Sequence, residues 1–160
     1  MESFPKCERK PFDLIVRKSD ENTMEILRIS EGNKFIGLAI NILYKDLVLL
    51  DYFAVKKEYR DRGYGTRALS LLKNHYADRR LFLEIEIPDE SSSNSYQRKI
   101  RKQFYLRNGM SETGIRVSIF DFPMELLIAG DKSLSFDEYH SIFYNIIGQA
   151  FSDNVKLISA

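Results

Sequence analysis

The sequence contains very few of the residues that form disulfides or zinc sites. Its 160 residues include one cysteine, Cys7, and two histidines, His75 and His140, which lie far apart along the chain. One cysteine excludes an intrachain disulfide, and no group of cysteines and histidines has the spacing of a structural zinc site. We therefore expect a fold that is stabilised by its apolar core and binds no metal.

Long apolar segments and an excess of one charge are also missing. The N-terminal residues include no apolar stretch of signal-peptide length, and no apolar run is long enough to cross a bilayer. The 24 basic and 23 acidic residues nearly balance, so nothing in the net charge of +1 indicates a nucleic-acid-binding or membrane-binding protein. From these absences we expect a cytoplasmic protein.

The period of the apolar residues predicts an α/β (α+β) fold in a single domain, residues 1–160. The predicted elements, in chain order, are a helix over 9–19, strands over 24–30, 34–44 and 47–55, a helix over 66–76, a strand over 81–87, a helix over 95–108, strands over 115–122 and 125–129, and a helix over 135–151. For residues 9–19 a strand is the alternative to the favoured helix. Short turns join the first three strands, which predicts an antiparallel meander.

The helix predicted over 135–151 has an aromatic stripe. Its members are Phe136, Tyr139, Phe143, Ile147 and Phe151. Such a stripe is more typical of core packing or of a dimer contact than of a cofactor site. We expect His140, which lies beside the stripe, to have a structural role.

A turn with two glycines precedes the helix over 66–76. Gly63 and Gly65 follow a buried strand and a charged segment that includes Arg60 and Arg62. The N-terminus of a helix presents unpaired N–H groups with a partial positive charge, and glycine lets the backbone approach a phosphate closely. The pattern therefore predicts an anion site suited to a diphosphate, although an isolated Gly-x-Gly is also common in plain turns.

Two nucleotide-binding motifs must be compared with this turn. The P-loop motif is absent, whereas Gly63, Gly65 and Ala68 formally satisfy the dinucleotide pattern Gly-x-Gly-x-x-Gly/Ala. In a dinucleotide-binding fold the first glycine follows its strand almost at once. Here a charged segment separates Val55 from Gly63, and the upstream meander is antiparallel. A nucleotide-binding regulator is therefore the least favoured of the hypotheses.

The residues around this turn resemble the central motif of the GNAT superfamily of N-acetyltransferases, Gln/Arg-x-x-Gly-x-Gly/Ala, which Arg60, Gly63 and Gly65 match. A second family element, Phe-Tyr-x-x-x-Gly-Phe at the end of a helix, is matched over 104–110, with Met110 as the last residue. The segment from Leu83 to Asp89 resembles the strand between the two motifs in bacterial members. The resemblance extends over about 24–129 and does not specify a substrate.

This resemblance implies a fold and a co-substrate. The sheet would be mixed and mostly antiparallel, with helices on its faces and two splayed central parallel strands, 47–55 and 81–87. Acetyl-coenzyme A would bind in the opening, its pantetheine arm paired with the backbone of Phe53, Ala54 and Val55. Backbone N–H groups of a longer segment would hold the pyrophosphate: Arg60, Asp61, Arg62, Gly63, Tyr64, Gly65 and Thr66. Tyr105 would protonate the departing thiolate and contact the co-substrate.

Transfer of an acetyl group to a primary amine also requires a base, because an alkylammonium must lose a proton before it attacks. The candidates are carboxylates near the splay of the two strands, in the order Glu84 and Glu86, then Asp51. Alternating glutamates on a strand are also typical of a solvated face, and Asp51, which interrupts an apolar strand, is also suited to a strand bulge.

The family usually begins with a strand and a helix that precede the residues found here. The segment from Ser3 to Phe12 resembles one that follows this first strand in related bacterial proteins, so we expect the first edge strand to be missing. This leaves a non-catalytic acyl-coenzyme A-binding module as the alternative to an N-acetyltransferase. An absent edge strand would also leave an edge open for pairing, as in a homodimer.

Overall fold

The structure is a computed structural model that describes residues 12–160. The helices are α1 (Phe12–Asp20), α2 (Tyr64–His75), α3 (Ser95–Arg107), α4 (Phe136–Ile142) and α5 (Gln149–Ser152). The strands are β1 (Met24–Glu31), β2 (Lys34–Tyr44), β3 (Leu47–Val55), β4 (Arg80–Glu86), β5 (Met110–Ile119), β6 (Phe122–Ala129) and β7 (Val155–Ser159). A 3₁₀ turn at Lys57–Tyr59 lies between β3 and α2, and a π-helical turn at Phe143–Ile147 lies between α4 and α5.

Within residues 12–160, seven strands form one mixed sheet in the order β1-β2-β3-β4-β6-β5-β7. Neighbouring strands run antiparallel except for β3 and β4, which are parallel. The parallel pairing joins Leu47–Leu49 to Arg80–Phe82 and does not continue along either strand. The fold class expected from the sequence, a mostly antiparallel sheet with splayed central parallel strands and flanking helices, is confirmed.

Each face of the sheet is covered by helices. Along β4, Leu81, Leu83 and Ile85 belong to the apolar cluster beneath α2 and α3. Phe82, between them, belongs to the opposite cluster, which includes residues of α1 and α4 such as Tyr139. This follows from the period of two along a strand, and it directs Glu84 to the α4 face. None of the helices in residues 12–160 is both long and apolar enough to span a membrane.

The hairpin of β5 and β6 differs from the prediction. Strands were expected over 115–122 and 125–129 around Pro123, but Pro123 lies within β6 and pairs with Ser118. The chain reverses at Phe120 and Asp121, which both have positive φ angles of 48° and 67°. Two left-handed residues form a tight two-residue hairpin turn, usually Asn-Gly or Asp-Gly in sequence. Because Phe-Asp is not such a signal, the prediction placed the turn at the proline.

The prediction of one continuous helix over 135–151 was wrong. The helix begins as expected, because the Ser135 Oγ atom accepts a hydrogen bond from the Glu138 backbone and the Glu138 side chain accepts one from the Ser135 backbone. It is then interrupted by the π-helical turn and by Gly148, whose φ is 129°. A final strand, β7, pairs with β5 and was not predicted, since only its first residue, Val155, is buried.

At the N-terminus, the predicted helix over 9–19 is present as α1, Phe12–Asp20. The expectation that the first edge strand is missing concerns residues 1–11 and the start of α1, and it therefore lies mainly outside the described residues. Cys7 also lies outside them.

Candidate active site

A cleft of ≈1050 Å³ opens where β3 and β4 separate. Its walls come from both strands, from the turn before α2, from α3, from the β5–β6 hairpin and from the C-terminal helical segment. Residues far apart in the sequence, such as Gly63, Tyr105 and Phe151, therefore line a single cavity.

A bulge in β3 marks the start of the splay. Leu50 pairs with Asn41 of β2 and Tyr52 pairs with Ile40, so Asp51 is an extra residue between them. A bulge bends its strand and increases the local twist, and this one follows directly after Leu49, the last residue paired with β4. Along 53–55, which lines the cleft, β3 is paired with β2 on one side only in the described part of the chain. Asp51 thus lies at a bulge, which was one of the two alternatives expected from the sequence.

The turn from Arg60 to Thr66 contributes Arg60, Asp61, Gly63, Gly65 and Thr66 to the lining of the cleft. Gly63 is the N-cap residue of α2, with a left-handed φ of 77°, and no side chain caps this helix end. The first turn of α2 also contains no acidic residue, so its N–H groups and partial positive charge remain available for an anion. A Cβ atom on Gly65 would lie 3.3 Å from the Phe104 ring, so a glycine here lets α2 pack closely against α3.

The side chains of this turn are largely used within the protein. Tyr64 donates a hydrogen bond of 2.7 Å from its hydroxyl to Glu31, and Arg67 lies over the Tyr64 ring with a distance of 4.5 Å from its guanidinium carbon to the ring centroid. Arg60 donates from Nε to the carbonyl of Val55 at 3.0 Å. The backbone of this turn, more than its side chains, is therefore suited to hold phosphates.

Tyr105 lies on α3, lines the cleft and is 8% exposed. Burial raises the pKa of Tyr105 to about 12, and the nearby charge of Arg101 opposes this rise. Its ring packs edge-on against Phe104 at a centroid distance of 5.2 Å. The phenol is therefore protonated at neutral pH, as an acid must be.

Glu84 and Asp51 line the cleft on the α4 side of the sheet. The Tyr139 hydroxyl donates a hydrogen bond of 2.6 Å to Oε1 of Glu84. Burial raises the pKa of Tyr139 well above its usual value, and the negative charges of Glu84 and Asp51 raise it further. Both carboxylates thus act on one buried phenol, although 33 residues separate them in sequence (84 minus 51).

Glu86 has different surroundings from Glu84. It forms ion pairs with Arg98 at 2.9 Å and with Arg101 at 3.3 Å, and its side chain is only 11% exposed. Two guanidinium groups of α3 therefore hold Glu86 at the end of β4. The sequence placed Glu84 and Glu86 on one strand face with equal roles, but their partners differ because Glu86 lies at the open end of the splay, within reach of α3.

Sequence reasoning did not identify some of the residues that line the cleft or contact its lining residues. Tyr139 was assigned to the aromatic stripe and is indeed fully buried, but it also contacts Glu84. The aromatic residues of the hairpin and of the C-terminal segment were not linked to the site: Phe120, Phe122, Phe143 and Phe151. The only signal for them in the sequence was the high density of aromatic residues in these two segments. His140 contacts the carbonyl of Ser152 at 3.0 Å, which is a structural contact.

A model of the acetyltransferase (GNAT) family matches residues 1–100 of the chain. The chain belongs to the GNAT family. It is accordingly an acetyl-coenzyme A-dependent acyltransferase, as the resemblance in sequence implied. No protein among those with curated functions matches the sequence.

Solved structures of GNAT proteins have the same fold. A protein from Bacteroides thetaiotaomicron described as a GNAT-family acetyltransferase has a TM-score of 0.74 at 23% identity, over 92% of this chain and 86% of its own. The ribosomal-protein-S18-alanine N-acetyltransferase from Escherichia coli has a TM-score of 0.56 at 18% identity, over 85% and 84%. A GNAT acetyltransferase from Elizabethkingia anophelis, solved with acetyl-CoA bound, has a TM-score of 0.56 at 15% identity, over 81% and 94%.

The GNAT cleft of this enzyme fits acetyl-coenzyme A. The uncapped N-terminus of α2 suits the diphosphate, and a Cβ atom built on Gly63 would meet nothing within 4 Å, so its backbone lies open. The cleft-side edge of β3 at 53–55 offers backbone groups to an extended amide-containing chain. Among residues 12–160 there is no group of three or more histidine, cysteine, aspartate and glutamate residues placed to hold a metal ion.

Proposed function

We propose that this GNAT enzyme transfers the acetyl group of acetyl-coenzyme A to a primary amine. The observation that supports it is the continuity of one cleft, from the turn before α2 through Tyr105 to the carboxylates of Asp51 and Glu84. This cleft supports a site for two substrates, with a proposed anion-binding end and a proposed acidic end. We also propose that residues 1–160 form a single domain.

At the coenzyme end, the proposed contacts are made by the backbone. Phe53, Ala54 and Val55 would pair with the pantetheine arm as a neighbouring strand does. The N–H groups of the turn would hold the pyrophosphate: Arg60, Asp61, Arg62, Gly63, Tyr64, Gly65 and Thr66. The positive φ of Gly63 and the missing side-chain cap on α2 support this assignment.

At the acceptor end, the amine nitrogen attacks the thioester carbonyl carbon, so that a C–N bond forms and the C–S bond breaks. Glu84, with Asp51 nearby, is the proposed acceptor of the proton that the ammonium loses, directly or through water. Tyr105 donates its phenolic proton to the departing thiolate and is restored by the second proton that the attacking nitrogen loses as the amide forms, directly or through water. The products are an N-acetylated amine and coenzyme A. Glu86 is proposed as an anchor of α3 on β4, because two arginines already hold it.

The decisive experiment follows free-thiol release from acetyl-coenzyme A by the full chain with a panel of small, polyamine, aromatic and peptide amines. We expect release that depends on both the enzyme and one class of amine. Calorimetry on the same preparation gives the affinity for acetyl-coenzyme A. Binding without thiol release on any amine would favour the non-catalytic acyl-coenzyme A-binding module, and no binding would overturn both functions.

A further inference from the structure

Beside the acceptor half of the cleft, a continuous series of aromatic rings ends at Glu84. Tyr139, whose hydroxyl contacts Glu84, packs edge-on against Phe143 at 5.1 Å between ring centroids. Phe143 stacks on Phe151 at 5.1 Å with an interplanar angle of 16°, and Phe151 meets Phe120 edge-on at 5.0 Å. The series therefore leads from the carboxylate to the tip of the β5–β6 hairpin.

The hairpin tip presents aromatic surface to the cleft. Phe120 and Phe122 both line the cleft and are 40% and 50% exposed. Phe120 also has a φ of 48°, which is rare for a bulky residue and which the tight hairpin imposes. A partly exposed aromatic pair at the mouth of a cavity, held by a strained backbone, is more typical of a binding site than of a plain turn.

The charges of this half of the cleft complement its aromatic wall, which is formed by Phe120, Phe122, Phe143 and Phe151. The lining residues from the hairpin and the C-terminal segment are uncharged: Ile119, Phe120, Phe122, Met124, Phe143 and Phe151. The carboxylates of Glu84 and Asp51 also line the cleft, and Glu84 accepts the hydrogen bond from Tyr139. Glu86 lines the cleft as well, but Arg98 and Arg101 pair with it. Such a site favours a ligand with a cationic head and an apolar body. It disfavours a polyhydroxylated amine, because the wall offers no side-chain groups to replace the water around its hydroxyls.

On the basis of the proposed function, we infer that the acceptor is a primary amine with an aromatic ring on a short alkyl chain. Its ammonium group lies at Glu84 and Asp51, and its ring packs against Phe120, Phe122 and Phe151. Aromatic pairs gain energy beyond the apolar area they bury, which makes the ring a specificity element.

The test compares kcat/KM of thiol release for 2-phenylethylamine with that for n-butylamine, spermidine, an aminoglycoside and a peptide with N-terminal alanine. We expect 2-phenylethylamine to exceed each of the others by at least about tenfold, since burying a ring separates substrates by this much or more. Equal or higher kcat/KM for a polar amine would overturn this inference and leave acetyl transfer intact. No thiol release with any amine would instead contradict the proposed function.

Substitutions in the aromatic wall provide a second test of the inferred acceptor. Phe120→Gly removes the ring but suits the positive φ, so the fold should be retained, and KM for 2-phenylethylamine should rise about tenfold with KM for acetyl-coenzyme A unchanged. Phe122→Ala should act in the same direction. Phe35→Ala is the matched control, because Phe35 is also 40% exposed but does not line the cleft. If both wall variants match the Phe35 control, the aromatic wall does not bind the acceptor.

Discussion

The Tyr139 hydroxyl lies 2.6 Å from Oε1 of Glu84, which joins α4 to the central strand β4 at the acidic end of the cleft. Tyr139 is fully buried, and its ring also meets Phe82 of the same strand at 6.1 Å between centroids. The position of Glu84, the proposed proton acceptor, is therefore set by Tyr139, which lies 55 residues later in the chain. This relationship links the C-terminal segment to the proposed active site.

Replacing Tyr139 with phenylalanine should reduce activity by moving Glu84. The ring remains, but the hydrogen bond that orients the carboxylate is lost, and kcat/KM for the amine should fall about tenfold. The free energy of unfolding should fall by about 1.5–3 kcal/mol, as for other hydrogen bonds to charged groups. Amine kinetics and denaturant unfolding measure the two effects. Tyr144→Phe, on the same segment and 57% exposed, is the control and should change neither quantity.

Replacing Tyr105 with phenylalanine should remove the proposed acid. We expect kcat to fall about 10²-fold or more, with little change in the affinity for acetyl-coenzyme A. Wild-type turnover across pH would remove Tyr105 from the mechanism.

Tyr105 also predicts a dependence of stability on pH. Its pKa is raised to about 12 in the folded protein, from about 10 in the unfolded chain, so folding favours the protonated phenol. This contribution to stability is fully present below pH 10 and is lost as the pH rises from 10 to 12. The Tyr105→Phe variant should therefore lose less stability than the wild type over this range, measured by unfolding at pH 9 and pH 11. Equal losses would contradict the burial of the phenol.

Replacing Gly63 with leucine should abolish binding of acetyl-coenzyme A. The left-handed backbone is strained by any larger residue, at a cost of about 1–2 kcal/mol, and the side chain would stand in the space left for the diphosphate. Gly130→Leu is a matched control, since Gly130 has a φ of 70° against 77°, has nothing within 4 Å of a built Cβ and does not line the cleft. Calorimetry should show binding to the control alone. Wild-type affinity in the Gly63 variant would exclude the pyrophosphate assignment.

The two glutamates of β4, Glu84 and Glu86, should have different roles. Glu84→Gln should lower kcat/KM for the amine about 10²-fold or more because the proton acceptor is lost. Glu86→Gln should instead lower the free energy of unfolding by about 2–4 kcal/mol, since Arg98 and Arg101 lose a charged partner that is mostly buried.

The control for Glu86 is Glu90→Gln. Glu90 pairs with Lys99 at 3.2 Å but its side chain is 89% exposed, so its loss should cost less than about 0.5 kcal/mol. If Glu86→Gln lowers catalysis more than Glu84→Gln does, the roles proposed for the two residues are reversed.

Local signals in the sequence predicted most of the fold. The meander of β1 to β3, the helix after Gly63 and the strand 81–87 follow from apolar periods and turn residues, which act over a few positions. The hairpin turn at Phe120 and Asp121 could not be predicted in this way, because a bulky residue such as Phe120 rarely adopts the left-handed conformation and Phe-Asp is not a usual turn pair. The tertiary pairing of β5 with β6 imposes the conformation.

The candidate site also has one part that local sequence signals predict and one part that depends on tertiary structure. The sequence by itself determined the proposed coenzyme end, because Arg60, Gly63 and Gly65 lie within one turn and the backbone conformation of that turn is local. Only the tertiary structure decided the acceptor end: which glutamate of β4 meets Tyr139, which meets the arginines of α3, and that Phe120 and Phe151 share a wall. These contacts join segments tens of residues apart. Their geometry is set by the packing of helices on both faces of a splayed sheet, which no short stretch of sequence encodes.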